Sequence, residues 1–172
     1  LPYLLGPKNK NKGKIMPIEI ERKFLLKNET WRAEVLSSTV FKQGYFAGNG
    51  KASIRVRVEG EQANINIKGA TIGVKRAEYE YPIPLDEAIE LLETLCEHPL
   101  IEKVRHIVKH AEHKWEIDEF DGENDGLIVA EVELQSEQES IQLPAWAGEE
   151  VSAQEKYYNV SLRSNPYKNW DN

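Results

Sequence analysis

Ile18-Glu19-Ile20-Glu21-Arg22-Lys23-Phe24 alternates with period two, placing Glu19, Glu21 and Lys23 on one face and Ile18, Ile20 and Phe24 on the other. That period is a strand's, but the polar face is unusual. A half-exposed strand usually mixes Thr, Ser, Gln and single lysines, whereas this face carries charges only. The same concentration recurs as Arg55/Arg57 in Ser53–Val58, Arg76/Glu78/Glu80 in Arg76–Tyr81, Lys103/Arg105, Glu116/Asp118 in Lys114–Asp118, and Glu131/Glu133 in Leu127–Leu134. A solvated sheet face accounts for any one of these pairs. Glu131 and Glu133 resist it, because they interrupt Leu127-Ile128-Val129-Ala130, a run typical of a strand covered on both faces. Like charges two residues apart on a covered face call for bound cations or facing bases.

The rest of the chain reads mainly as short strands. Val40–Phe46 ends at the turn signal Ala47-Gly48-Asn49-Gly50, and Asn64–Lys68 alternates up to Gly69. The Glu59-Gly60-Glu61 link makes a hairpin of the strands on either side. Pro82-Ile83-Pro84 stops the fifth run, after which Ala88, Ile89, Leu91, Leu92, Leu95 and Cys96 fall at helical spacing. Ile101–Val108 fits either a helix or a strand. Pro144-Ala145-Trp146 reads as a loop, and Ser152–Arg163 as a terminal helix. This is a single mainly-β, α+β domain of about eight strands with few helices.

Composition narrows the classes further. The chain has 172 residues, 22 Lys+Arg, 29 Asp+Glu, one Cys and a formal charge of −7. The length suits one domain. No apolar run approaches the ~20 residues of a membrane-spanning helix, and the acidic balance argues against nucleic acid as a partner. Residues 1–15 place an apolar stretch before Lys8, Lys10, Lys12 and Lys14, the reverse of a secretory signal. They are expected to be a tag or disordered upstream tail, with Met16-Pro17 opening a single domain over 16–172. Without the four tail lysines, 18 bases face 29 acids, a charge of −11. One unpaired cysteine and no signal predict the cytoplasm.

Closing such strands with the charged face inward would make a charged lumen, which needs water, ions or a polyanion to satisfy it. Carboxylate clusters suit hard divalent cations, and interleaved Arg and Lys suit phosphoryl oxygens. Together they are the equipment of phosphoryl or nucleotidyl transfer.

These residues resemble the CYTH superfamily, the triphosphate tunnel metalloenzymes. Glu19-Ile20-Glu21-Arg22-Lys23 matches its ExExK signature on the first strand. In order follow Arg55-Val56-Arg57 (RxR), Lys68, Glu78-Tyr79-Glu80 (the first later acidic pair), Lys103-Val104-Arg105 (KxR), Glu116-Ile117-Asp118 (ExD) and Glu131-Val132-Glu133 (ExE). The likeness spans about Ile18 to Tyr158. It implies an eight-stranded antiparallel β-barrel, open as a tunnel and flanked by a few helices, and it makes the segment around Lys103 a strand.

The resemblance also implies roles. Lys23, Arg55, Arg57, Lys68, Arg76, Lys103 and Arg105 would hold a triphosphate. Glu19, Glu21, Glu78, Glu80, Glu116, Asp118, Glu131 and Glu133 would hold Mg²⁺ or Mn²⁺, with two ions during turnover. Lys42-Gln43-Gly44-Tyr45 and the compact length resemble the small bacterial tripolyphosphatase-type members, which makes Tyr45 and Lys103 the catalytic candidates. A packed aromatic on the second strand is the alternative for Tyr45. The C-terminal stretch around Lys156 would cover one tunnel end; that lysine either reaches inward onto substrate or is solvated on its helix. The expected activity is metal-dependent hydrolysis of a terminal phosphoryl group from inorganic triphosphate or a related triphosphate. The alternatives are a class IV-type adenylate cyclase and a non-catalytic polyphosphate- or nucleotide-binding module. A homodimer is compatible with either.

Other signals carry less. His106, His110 and His113 are too far apart along a strand, ~13 Å for four residues, to share one ion, and read as surface or hairpin-end residues. Trp31, Trp115 and Trp146 read as packing aromatics and Cys96 as a buried thiol. There is no Walker-type glycine loop. The assigned lumen has eight acids and seven bases, a charge of −1. Two divalent cations would make it +3, so phosphate binding is expected to require metal.

Overall fold

A computed structural model describes residues 20–47, 52–69 and 78–170. The strands are β1 (Ile20–Leu26), β2 (Val35–Tyr45), β3 (Ala52–Glu59), β4 (Gln62–Gly69), β5 (Glu78–Pro82), β6 (Glu97–His110), β7 (His113–Phe120), β8 (Ile128–Leu134) and β9 (Ala147–Glu150). The helices are α1 (Leu85–Thr94) and α2 (Asn159–Ser164). Every pairing is antiparallel, in the order β5-β4-β3-β2-β6-β7-β8-β1-β9.

This corrects the closed eight-stranded barrel. Among the described residues the sheet has nine strands, and its terminal strands β5 and β9 do not pair. The ninth strand directly follows the Pro144–Trp146 loop. It is only four residues long and carries no alternation, so periodicity does not reveal it. Gly148 lets it lie close on β1, since a Cβ there would stand 2.9 Å from the Leu25 carbonyl oxygen. The sheet nonetheless curls, because inward side chains from eight strands, β1 to β8, line a single cavity of about 810 Å³.

The ambiguous stretch around Lys103 is strand. β6 runs fourteen residues and pairs with both β2 and β7, so backbone hydrogen bonds on both sides outweigh its helical spacing. The expected terminal helix is divided. A 3₁₀ turn at Glu155–Tyr157 precedes α2, and Tyr158 between them is extended (φ −77°, ψ 139°).

The apolar core lies mostly outside the curl. On one flank Trp31, Trp115, Trp146, Phe24 and Ile117 pack together, the three tryptophans essentially without exposure. On the other, α1 lays Ala88 and Leu92 over Val56 and Ala63, with Cys96 buried among them. A third cluster closes one end of the cavity. Following the inward parity past the charged residues, Leu25, Ile101, Phe120 and Val129 replace charge with hydrocarbon and pack against Val151, Tyr157 and Leu162 of the C-terminal segment. His110 and His113 sit at the β6–β7 hairpin end, and His106 hydrogen-bonds Ser38 and Glu119. No helix among the described residues is long and apolar enough to cross a membrane.

Candidate active site

Register, more than sequence distance, assembles the site. Glu21 lies opposite Glu133 and Lys23 opposite Glu131; Glu116 lies opposite Glu131 and Arg105 opposite Asp118. On the other half of the curl, Tyr45 pairs with Arg55 and Gln43 with Arg57. Ser53 pairs with Lys68, and Lys68 in turn with Glu78. Because inward residues recur every second position, these pairings set the charged side chains side by side around one hoop.

Of the residues singled out in the sequence, Glu21, Lys23, Tyr45, Arg55, Arg57, Lys68, Glu80, Lys103, Arg105, Glu116, Glu131 and Glu133 line the cavity together. Asp118 is fully buried behind that lining, bound to Lys103 and to Arg105 (2.7 Å). Lys156 is exposed and packs its ammonium over Trp170 (4.6 Å) and Tyr157 (5.0 Å), away from the cavity wall. Glu19, Arg76 and the side chain of Glu78 lie outside the described residues, as does the tail 1–15.

The acidic half is threaded by bases. Lys23 Nζ lies 2.7 Å from Glu131 and donates to the Tyr157 carbonyl oxygen at 3.3 Å. Arg105 reaches Glu116, Asp118 and, at 3.0 Å, Glu131. Burial works against the charge on Asp118, but Lys103 and Arg105 outweigh it and hold the carboxyl at about 2. Burial pushes Lys103 below its ordinary value, against the pull of Asp118. Burial also opposes the charge on Arg105 and on Lys23; their carboxylate neighbours overcome it and raise both.

Glu21 behaves differently. Burial, and after it the negative charge of Glu131, push its carboxyl up to about 7. Two carboxylates thus compete at the cavity wall, where Glu21 keeps part of its surface exposed, and a cation beside them would relieve their repulsion. The donors are all oxygen, the chemistry that suits Mg²⁺ or Mn²⁺. Among the described residues no three His, Cys, Asp or Glu side chains are already gathered into a metal-holding group. Glu116 and Glu131 are turned instead onto Arg105, Lys23 and Lys114.

The basic half suits an anion. The Nε atoms of Arg55 and Arg57 are buried with no hydrogen-bond partner among the described residues. Burial, followed by repulsion from Arg55, lowers Arg57. Its nearest carboxylates, Glu80 and Glu59, stand at 3.6 and 3.7 Å. Both arginines line the cavity, and guanidinium groups held there suit phosphoryl oxygens.

Several lining residues were not singled out in the sequence: Phe41, Gln43, Ser53, Ser152 and Asn159. Parity is the signal for three of them. Phe41 and Gln43 share a face with Tyr45, and Ser53 shares one with Arg55 and Arg57. Gln43 is almost fully buried and donates through Nε2 to the Tyr45 hydroxyl at 3.3 Å. Tyr45 is therefore both packed and part of the cavity wall.

Comparison with known protein families matches the CYTH domain over residues 17–164. The chain belongs to the CYTH domain family. Within it, this CYTH chain is 42% identical over 152 residues to an inorganic triphosphatase of Acetivibrio thermocellus, covering 88% of this chain and 97% of that protein. It is 32% identical over 148 residues to an inorganic triphosphatase of Nitrosomonas europaea, covering 84% and 95%. Its fold is similar to the crystal structure of the inorganic triphosphatase NE1496, at TM-score 0.67 and 30% identity over 86% of this chain and 95% of that one. The curled, tunnel-like antiparallel sheet is the fold it shares with that structure.

Proposed function

We propose that this chain hydrolyses inorganic triphosphate to pyrophosphate and phosphate in a divalent-metal-dependent reaction. The observation that carries the reading is that one cavity joins Arg55 and Arg57, whose buried Nε atoms have no partner among the described residues, to a carboxylate-rich wall of Glu21, Glu116, Glu131 and Glu133. The 42% identity to a protein named as an inorganic triphosphatase supports it.

Mg²⁺ or Mn²⁺ held by Glu21, Glu116, Glu131 and Glu133 would neutralise phosphoryl oxygens and lower the pKa of a bound water. Arg55, Arg57 and Lys68 bind the polyphosphate from the other half of the curl, forking or point-charging its oxygens. Lys103 and Arg105 stand where the two halves meet, and balance the negative charge that grows on the leaving pyrophosphate. Asp118, buried behind them, fixes their orientation. The Tyr45 hydroxyl, whose oxygen receives the Gln43 amide proton, has its own proton left to direct into the cavity. Cys96 is buried and unpaired, which fits a reducing compartment such as the cytoplasm.

The test is a product assay. Tripolyphosphate and, separately, ATP are incubated with Mg²⁺ or Mn²⁺, and phosphate, pyrophosphate and cyclic AMP are quantified. Equimolar phosphate and pyrophosphate from tripolyphosphate is the expected result. Cyclic AMP with pyrophosphate from ATP would replace the hydrolase by a cyclase, and tight binding with no turnover would replace it by a binding module.

A further inference from the structure

One aromatic ring sits where three cavity cations converge. Phe41 is buried in β2 and lines the cavity. Its ring centroid lies 5.3 Å from the guanidinium carbon of Arg105, 5.7 Å from that of Arg57 and 5.9 Å from Nζ of Lys103. The sheet register explains the convergence. Phe41 is paired with Lys103 in β6 and with Glu59 in β3, so Arg105 and Arg57 are its diagonal neighbours on the two flanking strands.

Three cations so close repel one another, and something must hold their charged ends together. Carboxylates do part of this, since Lys103 contacts Asp118, and Arg105 contacts Glu116, Asp118 and Glu131. Among the described residues, Arg57 meets its carboxylate partners Glu59 and Glu80 only at 3.7 and 3.6 Å. A further carboxylate at position 41 would compete with phosphate for these cations. An aromatic face attracts cations through its quadrupole while carrying no net charge, so it gathers them without using up their attraction for an anion.

We propose that Phe41 is a positioning residue for phosphate recognition, its ring holding Arg57, Lys103 and Arg105 together at the wall where the basic and acidic halves of the cavity meet. The proposal rests on the triphosphatase reading given above. It predicts an electronic dependence that packing alone does not have. Fluorination of the ring drains the π face with little change in size, so it weakens the hold on the cations in graded steps.

The experiment replaces Phe41 with 4-fluoro-, 3,5-difluoro- and 3,4,5-trifluorophenylalanine, alongside Phe41→Leu. The readouts are KM and kcat for tripolyphosphate with Mg²⁺, the Kd of pyrophosphate with Mg²⁺ by calorimetry, and the thermal midpoint. The expected result is a stepwise rise of KM and Kd with fluorine number, reaching about tenfold for the trifluoro ring and at least that for Phe41→Leu. The thermal midpoint of the fluorinated proteins should stay near that of the parent, while kcat falls in the same order, because Lys103 and Arg105 also balance charge on the leaving pyrophosphate. Values of KM and Kd that stay flat across the fluorinated series overturn the proposal, whatever Phe41→Leu does to folding. If the parent turns over no tripolyphosphate, the proposed function has failed. Calorimetry of tripolyphosphate itself, with Mg²⁺, then decides Phe41: a graded loss of affinity supports the inference, and a flat series or no binding at all overturns it.

Discussion

Glu131 and Glu133 are two residues apart on one strand, yet their substitutions should separate. Glu133 is exposed at the cavity wall, so Glu133→Gln is expected to abolish metal-dependent turnover and leave the thermal midpoint within a degree or two of the parent. Glu131 is buried against Lys23 and Arg105. Glu131→Gln should lose turnover too, and also about 2–3 kcal/mol of stability by denaturant titration, because buried Lys23 and half-buried Arg105 lose a counter-charge. Equal stability of the two variants would contradict the buried ion pairs. Glu21 sets the pH behaviour of the metal-free protein. Its carboxyl is raised from 4.5 to about 7 in the folded chain, so the folded state holds the proton more tightly. The resulting stabilisation is complete below pH 4.5 and is lost as the pH climbs to about 7. Glu21 keeps an exposed surface, so solvent screening reduces the effect. Denaturant titrations in chelator should show stability falling across that window, a fall absent in Glu21→Gln. The other acids were legible as a set from their strict alternation. What alternation could not say is which carboxylates already have cations against them, since that depends on register between strands far apart in sequence.

At the scale of elements, alternation located the strands that bury one face and failed where that contrast is weak. The first residues of β2, Val35 to Ser38, alternate neither in charge nor in burial, so the strand read from Val40 begins five residues earlier. β9 is held by its edge contact with β1 and has no pattern of its own. Ile101–Val108 carried both periods, and only its pairing on two sides resolved them. Ser152–Arg163 has helical composition, but Tyr157 turns into the apolar plug while Tyr158 lines the cavity, its hydroxyl donating to the Ser152 carbonyl at 2.9 Å. Glycine spacing also has a structural reason here. A Cβ on Gly44 would stand 2.7 Å from Cys96 Cβ and 2.8 Å from Leu100 Cδ2, at the seam where β2 passes the end of α1 and the start of β6. Gly44→Ala should therefore lower the denaturant midpoint by an amount worth about 1–3 kcal/mol without changing its slope. An unchanged midpoint would show that this seam is loose.

For the molecule as a whole, the sequence places charge inside and hydrocarbon outside, an inversion that works only if coverings exist on the outer face. They do: α1 lies over β3 and β4, and the tryptophan cluster lies over β1, β7 and β8. The sequence could not show that β5 and β9 stay unpaired among the described residues, because closure is decided by edge pairing rather than by any local pattern. The net charge of −7 argues against a polyanion only if charge is averaged over the chain. Sorted by face, acids and bases interleave around one cavity, so metal is expected to convert this lumen from one that repels triphosphate into one that binds and cleaves it. The most direct measurement is phosphate release from tripolyphosphate as Mg²⁺ is titrated into chelator-stripped protein. Turnover that is absent in chelator and rises to saturation with Mg²⁺ is predicted. Turnover that persists undiminished in chelator, or none at any Mg²⁺ or Mn²⁺ concentration, would contradict metal-dependent hydrolysis in this cavity.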